Sequence, residues 1–359
     1  METATVNPKT SSSSATNEAP LTPEHIMKIG MGFWASKVLL TAVEFELFTR
    51  FAAQGPMTAA QVRKSLGLHC SERNVLDFLD ALASLGFLHR QGLLAESKYD
   101  NGPETAFFLD KKKPAYIGGI LEMANSRLYG IWANLANAMR TGKQQNEAVE
   151  GEDFFAKLYS DQARLREFAR AMSGVQMGAF TTFVRSFDFS KAKTLLDLGG
   201  SDARLSLMVA KQHPHMTCIS FDLPPVHPIA HASIVQSGLG DRVTAAAGDF
   251  FTDTLPKADV ITMGNILHGW SEEKKIALMR KAYDALPPGG AFVVLETIID
   301  DDRRQSTFGF LMSLNMLMET QDGFNFTLND FKGWAETAGF KRVELIPPAG
   351  PNSAAVAYK

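Results

Sequence analysis

The sequence predicts an α/β protein: a C-terminal, doubly wound, mainly parallel sheet closed by an antiparallel hairpin, preceded by a mainly helical domain of winged-helix order. Three patterns predict this. Short apolar runs at Thr194–Leu198, Thr217–Phe221, Val243–Ala247, Ala258–Met263 and Ala291–Leu295 each stop at glycine or an acid and alternate with helical stretches. Between His25 and Tyr99 the order is helix, helix, longer helix, hairpin. Two β-like runs, Val343–Ile346 and Ala354–Tyr358, flank the proline-rich turn at residues 347–351.

Residues 1–20, with Ser11 to Ser14 in succession, are expected to be a disordered lead-in to a first domain at 21–112. There Ile26, Ile29, Phe33, Val38, Leu39, Val43 and Leu47 predict helices apolar on more than one face. That is more surface than a lone small domain buries, and it predicts self-association. Thr58 is placed to cap a second helix. Ser71 opens a third, with Val75, Phe78, Leu79 and Leu82 on one side, and Phe87 to Tyr99 predicts a hairpin about Gly92. Such a third helix commonly reads DNA. Here its exposed face carries Glu72, Asp77 and Asp80 against Arg73, which repels phosphates, so no nucleic-acid partner is expected.

Residues 113–190 are predicted to be linking helices, punctuated by Met123, Asn125, Tyr129, Trp132, Asn134, Phe155, Phe168, Met172 and Met177. Such side chains at helical spacing are more often core than pocket, yet between two domains they also suit a small-molecule wall. Phe168 and Met172, one helical turn apart on the helix leading into the sheet, are the candidates for ligand contact.

In the domain at 191–359, the fourth strand runs into Gly264-Asn265-Ile266-Leu267-His268-Gly269-Trp270, and Ser271 caps a charged helix to Leu286. The fifth strand ends in Glu296. Neighbouring strands lie about 5 Å apart, so His268 and Glu296 are expected to approach each other on the crevice rim. A Met-rich helix, Leu311–Glu319, carries Asn315 and Met318, and Thr327–Gly339 forms an amphipathic helix.

The 359 residues hold 36 Lys and Arg against 39 Asp and Glu, a net charge of −3, which gives no global attraction to nucleic acid or an anionic membrane. Lys111–Lys113 and Asp300–Asp302 read as solvated loops. Cys70 and Cys218 lie far apart and make no metal motif, so reduced thiols and no metal are expected. The pattern shows no signal-peptide profile and no apolar run that reaches the ~18 residues of a membrane span, which predicts a cytoplasmic protein without a membrane partner.

A ligand crevice is expected beyond the carboxyl ends of the strands. Gly199 and Gly200 allow a tight turn and close approach of a ligand to the backbone, although a Gly-Gly after a strand is also compatible with a plain turn. Asp222 ends the second strand where an acid meets a ribose in such folds, and Gly248-Asp249-Phe250 ends the third with an acid and a ring suited to adenine. At the turn, Asp202 stands where a pyrophosphate would sit. With Asp197 it favours a cationic ligand over a diphosphate. A nucleoside with a positive charge and no phosphate is S-adenosylmethionine.

With these residues in hand, the chain resembles the dimeric small-molecule O-methyltransferase family that includes plant caffeate and flavonoid, animal acetylserotonin and bacterial polyketide-tailoring enzymes. The likeness spans residues 25–359. It is carried by L-D-L-G-G at Leu196–Gly200, F-D-L-P at Phe221–Pro224, G-D-F-F at Gly248–Phe251, I-L-H-x-W at Ile266–Trp270 and L-P-P-G-G at Leu286–Gly290. The resemblance implies a homodimer that transfers methyl from S-adenosylmethionine to a hydroxyl, aromatic or phenolic, of a small secondary metabolite, leaving S-adenosylhomocysteine. It implies donor contacts from Gly199, Asp222, Asp249 and Phe250, with Asp197, Gly200, Leu223, Gly248, Gly264 and Asn265 beside them. It implies His268 as general base and Glu296 as the acid that orients it. Trp270, Asn315, Met318 and Asn325 join Phe168 and Met172 as expected acceptor contacts. Three features depart from the plant pattern: Gly269 replaces an acid, Asn325 replaces a second orienting glutamate, and Ser201 and Ala203 replace turn glycines. C- or N-methylation on the same scaffold, a cofactor-binding regulator without turnover, and a His268 that merely caps a helix remain alternatives.

Overall fold

A computed structural model describes residues 21–113, 115–146, 158–349 and 351–359. The expected lead-in, Phe155 and Gly350 lie outside the described residues. In the first domain, β1 (Met57–Thr58), β2 (Leu88–Gln91) and β3 (Lys98–Asn101) form a small antiparallel sheet in the order β1-β3-β2. The helices Ala59–Leu66 and Glu72–Ser84 pack on it. Each starts at a reciprocal cap, Thr58 with Gln61 and Ser71 with Asn74, so side chains satisfy N–H groups that the first turn leaves free. Phe48, Phe51, Leu79, Leu82 and Tyr99 are its fully buried centre. The acids of the third helix are only partly free. Arg73 pairs with Asp77 at 3.0 Å, and Asp80, expected on the exposed face, is half-buried beneath the hairpin, where it accepts from the Tyr99 hydroxyl at 2.6 Å.

One sequence expectation is corrected here. Glu24–Glu44, two helices (Glu24–Gly30 and Gly32–Glu44) meeting at Met31, is 21 residues long with mean hydropathy 1.3, long and apolar enough by length and composition to cross a membrane. Isolated charges such as Lys28 and Lys37 break the run without lowering its mean enough to exclude it. One face packs inward through Leu40 and Val43, while Ile26 and Trp34 are 73% and 61% exposed.

The second domain is a seven-stranded sheet in the order β6-β5-β4-β7-β8-β10-β9. Its strands are β4 (Thr194–Leu198), β5 (Thr217–Asp222), β6 (Val243–Ala247), β7 (Val260–Gly264), β8 (Ala291–Glu296), β9 (Arg342–Ala349) and β10 (Asn352–Tyr358). The strands β6 to β8 in that order are parallel, and β10 and β9 close the edge antiparallel. Helices cover both faces, so the strands read as nearly continuous apolar runs. Alternation still sorts them: Leu196, Leu198, Phe292 and Val294 pack towards Leu278, Met279 and Phe331, whereas Leu195, Val293 and Leu295 pack towards Phe183, Leu205 and Val209.

The chain winds from β4 outward through β5 and β6, then returns to β7 on the other side of β4. The crevice of this fold therefore opens between the carboxyl ends of β4 and β7. The long helix Gln162–Ser186 packs on this half of the molecule and against the helix Gly118–Met123. After Met123 the chain makes a π-helical turn, Ala124–Leu128, which the sequence pattern does not predict.

Candidate active site

The turn after β4 is built by backbone geometry. Gly199 has φ +71°, and Ser201 and Ala203, where the resembled family has glycine, also adopt positive φ of 51° and 63°. Side chains there are strained but short, which keeps the turn shape at a cost of order 1 kcal/mol each. A side chain at Gly200 would crowd the turn, since a Cβ would lie 2.3 Å from the Ser220 hydroxyl and 3.1 Å from the Asp197 carbonyl. Both amides of the pair reach the Phe221 carbonyl, at 2.9 and 3.3 Å, pinning the turn over β5.

Acids gather around this turn. Asp222 accepts from the Ser201 and Leu223 amides at 2.9 and 2.7 Å, and burial still pushes its carboxyl up to about 6. Asp197, buried, accepts from the Thr262 hydroxyl at 2.7 Å. Burial pushes it up to about 7, with Asp222 and Asp202 adding to the rise. Asp202, also buried, accepts from the Ser173 hydroxyl at 2.6 Å. Asp222 and Asp202 stand close enough to Asp197 to raise it, and Asp202 is itself paired with Arg204 at 3.3 Å, so the crevice is lined with acids that a further cation would relieve. Asp249 accepts from the Phe251 amide at 2.8 Å. Gly248 is packed so tightly on Phe221 that a Cβ would meet the ring at 2.5 Å. The Phe250 ring is half-buried, with the Phe251 ring 5.0 Å away and Trp270 6.4 Å away.

The segment after β7 carries the proposed base. Asn265 has φ +51°, and its amide oxygen receives the Asn352 side chain at 3.4 Å. His268 is 7% exposed and Glu296 fully buried. One Glu296 oxygen accepts from the Ile266 and Leu267 amides at 3.0 and 2.6 Å, and the other accepts from the His268 amide at 3.1 Å. The imidazole Nδ1 lies 4.0 Å from that second oxygen and has no hydrogen-bond partner. Burial raises the Glu296 carboxyl above the ordinary range, opposed by His268, the loop amides and Lys275.

The expected acceptor contacts divide. Met172 is half-buried on Gln162–Ser186. Phe168 packs with Leu165, Leu158 and Val226 against Leu223, beside the Asp222 end of the crevice. Trp270 lies edge-on to Phe251 at 4.7 Å and 6.4 Å from the expected adenine contact Phe250. Asn315 accepts from the Trp132 indole at 2.8 Å, tying the Met-rich helix Thr307–Glu319 to the linking helices. Met318 is completely buried with Ile131 and Ala138, so it belongs to the packing beneath that helix and not to an open wall. Asn125 and Tyr129 turn the other way: Asn125 bonds Lys37 and Glu44, and the Lys37 ammonium lies 4.9 Å from the Tyr129 ring centroid. Asn325 is buried and donates to the Thr297 carbonyl at 2.9 Å, while its own Oδ1 is unpartnered.

Gln176, which the sequence pattern does not single out, occupies the crevice itself. It is 6% exposed, its Oε1 has no hydrogen-bond partner, and a Cβ on Gly264 would lie 2.2 Å from that oxygen. Gly264 ends β7 beside the β4 turn. Ser173, three residues earlier, faces Asp202 from the same helix, and this spacing of two polar residues on one face was the available signal. A lone buried acceptor normally has a partner. The glycine cradle, the negative crevice and this orphaned oxygen together fit a cationic nucleoside donor.

A family profile described as the O-methyltransferase domain matches residues 132–341, and one described as the O-methyltransferase dimerisation domain matches residues 27–111. The chain is 36% identical over 337 residues to the tetracenomycin polyketide synthesis 8-O-methyl transferase TcmO of Streptomyces glaucescens, covering 94% of this chain and 97% of that protein. It is 30% identical over 328 residues to the N,N-dimethyltransferase OxyT of Streptomyces rimosus, covering 90% and 93%. The crystal structure of human N-acetylserotonin methyltransferase in complex with SAM superposes with a TM-score of 0.88 at 27% identity, over 96% of this chain and 99% of that one. The chain belongs to the S-adenosylmethionine-dependent O-methyltransferase family.

Proposed function

We propose that this protein methylates an aromatic hydroxyl of a small polycyclic or polyketide-like metabolite, with His268 as general base. The observation that carries this reading is the pairing of a negative, glycine-lined crevice with a buried imidazole on its rim, set there by Glu296. The 36% identity to an enzyme of polyketide 8-O-methylation supports the acceptor class.

When bound, S-adenosylmethionine supplies a methyl group activated by its sulfonium, so the protein's part is alignment and proton removal. Gly199 and Gly200 let the donor approach the β4 turn, Asp222 receives hydroxyls of its ribose, and Asp249 with Phe250 receives the adenine. Leu223, Gly248, Gly264 and Asn265 shape the same wall. Asp197 balances positive charge, Asp202 is shared with Arg204 at 3.3 Å, and Gln176 offers its free oxygen above Gly264. A phenol near pKa 10 facing a histidine near 6.5 differs by about 3.5 units, roughly 4.8 kcal/mol, so full deprotonation in advance is costly. His268 therefore takes the proton as the methyl transfers. Nδ1 lies on the Glu296 side, leaving Nε2 for the acceptor hydroxyl, and the Glu296 carboxylate stabilises the imidazolium that forms. Met172 on the long helix and Asn325 beside Thr297 bound the acceptor, while Phe168 closes the donor end of the crevice at Leu223.

The reading includes a cytoplasmic homodimer joined through the apolar face of Ile26, Ile29, Phe33 and Trp34, which a dimerisation domain would cover. Trp34→Asp is expected to lower the sedimenting mass. The activity is tested by incubating the protein and S-adenosylmethionine with a panel of phenolic polycycles and locating the new methyl by mass and NMR. Methyl on oxygen supports the reading. Methyl on nitrogen would favour the second reading, an N-methyltransferase, for which the 30% identity to an N,N-dimethyltransferase and the loss of two carboxylates at Gly269 and Asn325 speak.

A further inference from the structure

Lys275, which the chemistry above does not use, is completely buried near the start of the helix Glu272–Ala285. Its Nζ donates to the Phe324 carbonyl at 3.0 Å. The same atom lies 3.1 Å from the Phe324 ring centroid, 5.3 Å from Trp334 and 5.7 Å from Phe326. It makes no ion pair among the described residues; Glu296, Glu272 and Asp330 act on it only at longer range. Burial, the missing partner and the positive end of a helix all disfavour a cation here, and burial brings the ammonium down to about 8. An unbranched apolar side chain would fill the same space without those costs.

The charge reaches two sides of the base. Phe324 lies in a segment whose preceding residue, Gly323, packs on the base loop so closely that a Cβ would lie 2.8 Å from the His268 carbonyl oxygen. The following residue is Asn325, held by the Thr297 carbonyl and by the Ser313 hydroxyl, which receives its amide at 3.2 Å. On the other side stands Glu296, whose carboxylate form the Lys275 charge favours.

We propose that Lys275 is a positioning residue for methyl transfer: it clamps the Gly323–Asn325 segment against the backbone of His268 and sets a cation on the Glu296 side of the same loop. This rests on the reading of His268 as the base. Cation–π contacts with three rings hold the ammonium where no carboxylate does. The carboxylates facing it are Glu296 from β8, Glu272 from its own helix and Asp330 from the helix Leu328–Ala338.

The test compares Lys275→Met, which fills the channel without charge, and Lys275→Gln, which keeps a donor for the Phe324 carbonyl. Thermal unfolding with S-adenosylhomocysteine establishes that each variant is folded. Lys275→Met is expected to lose kcat ten- to hundredfold, with donor KM and S-adenosylhomocysteine affinity within threefold of wild type. In both variants the acid limb of the kcat–pH profile is expected to move to higher pH, because Glu296 takes up a proton sooner without the neighbouring cation. A packing role alone would not move that limb. In a His268→Gln background, Lys275→Met is expected to cost less than a further twofold. Wild-type kcat and an unmoved limb in both folded variants would overturn the proposal alone, as would a full additional loss in the His268→Gln background. Near-normal turnover of His268→Gln by itself would remove the base reading and the proposal together.

Discussion

The Glu296 carboxylate holds His268 by its backbone: it accepts the His268 amide at 3.1 Å, while the imidazole Nδ1 stands 4.0 Å from the same oxygen. One acid therefore fixes where the loop at residues 265–268 lies and faces the ring that loop carries. Glu296→Gln keeps the shape but turns one acceptor into a donor towards the loop amides. It is expected to lower kcat by roughly 10²-fold and stability by about 1–3 kcal/mol, measured by steady-state kinetics and urea unfolding. Loss of activity with unchanged stability would mean that the acid acts on the ring alone.

Gly200 separates the needs of the fold from those of the donor least cleanly. Its substitution by alanine meets the Ser220 hydroxyl at 2.3 Å and the Asp197 carbonyl at 3.1 Å. The turn must shift, and Gly200→Ala is expected to destabilise the protein by about 1–3 kcal/mol and to weaken S-adenosylhomocysteine binding at least tenfold. Calorimetry and thermal unfolding of the variant check both.

Asp197 and Asp222 are expected to make donor binding depend on pH. Burial raises their carboxyls to about 7 and about 6, above the ordinary 3.8. The free protein gains stability from their protonated forms. That contribution is complete below the unfolded value and is lost as pH rises through about 6 to about 7. A cationic donor favours the ionised forms, so its binding should release protons in that window and weaken as pH falls. Titrations near pH 6 in buffers of different ionisation enthalpy should show greater proton release for S-adenosylmethionine than for S-adenosylhomocysteine, which lacks the sulfonium. No proton exchange with either would contradict the charge assignment.

Gln176 predicts opposite signs for folding and binding. Gln176→Leu removes a buried oxygen without a partner, which should leave stability unchanged or raise it by about 1 kcal/mol. Donor affinity should fall at least fivefold if that oxygen faces the donor. Thermal unfolding and calorimetry on one preparation read both signs.

Much of this arrangement was legible in the sequence. The limits of β4 and β6 follow from apolar runs ended by Gly-Gly and Gly-Asp, and the caps at Thr58, Ser71 and Thr327 were marked by their own side chains. The chemistry around His268 was legible only in part. That Glu296 lies near it follows from strand adjacency. That its oxygens are spent on three loop amides depends on the local path of residues 265–268, which begins with the positive φ of Asn265. Lys275 falls within the charged helix that Ser271 caps, and nothing along the chain announces that Phe324, Phe326 and Trp334 close around it. Where Trp270 and Met318 point is set by tertiary packing, which lays one against Phe251 and buries the other in a core with Ile131.

The central claim, that His268 takes the acceptor's proton beside an intact donor crevice, is tested most directly by His268→Ala with donor affinity and single-turnover methyl transfer measured on one preparation. The account predicts S-adenosylmethionine binding within threefold of wild type and transfer slower by about 10²- to 10⁴-fold. Transfer within threefold of wild type would contradict it.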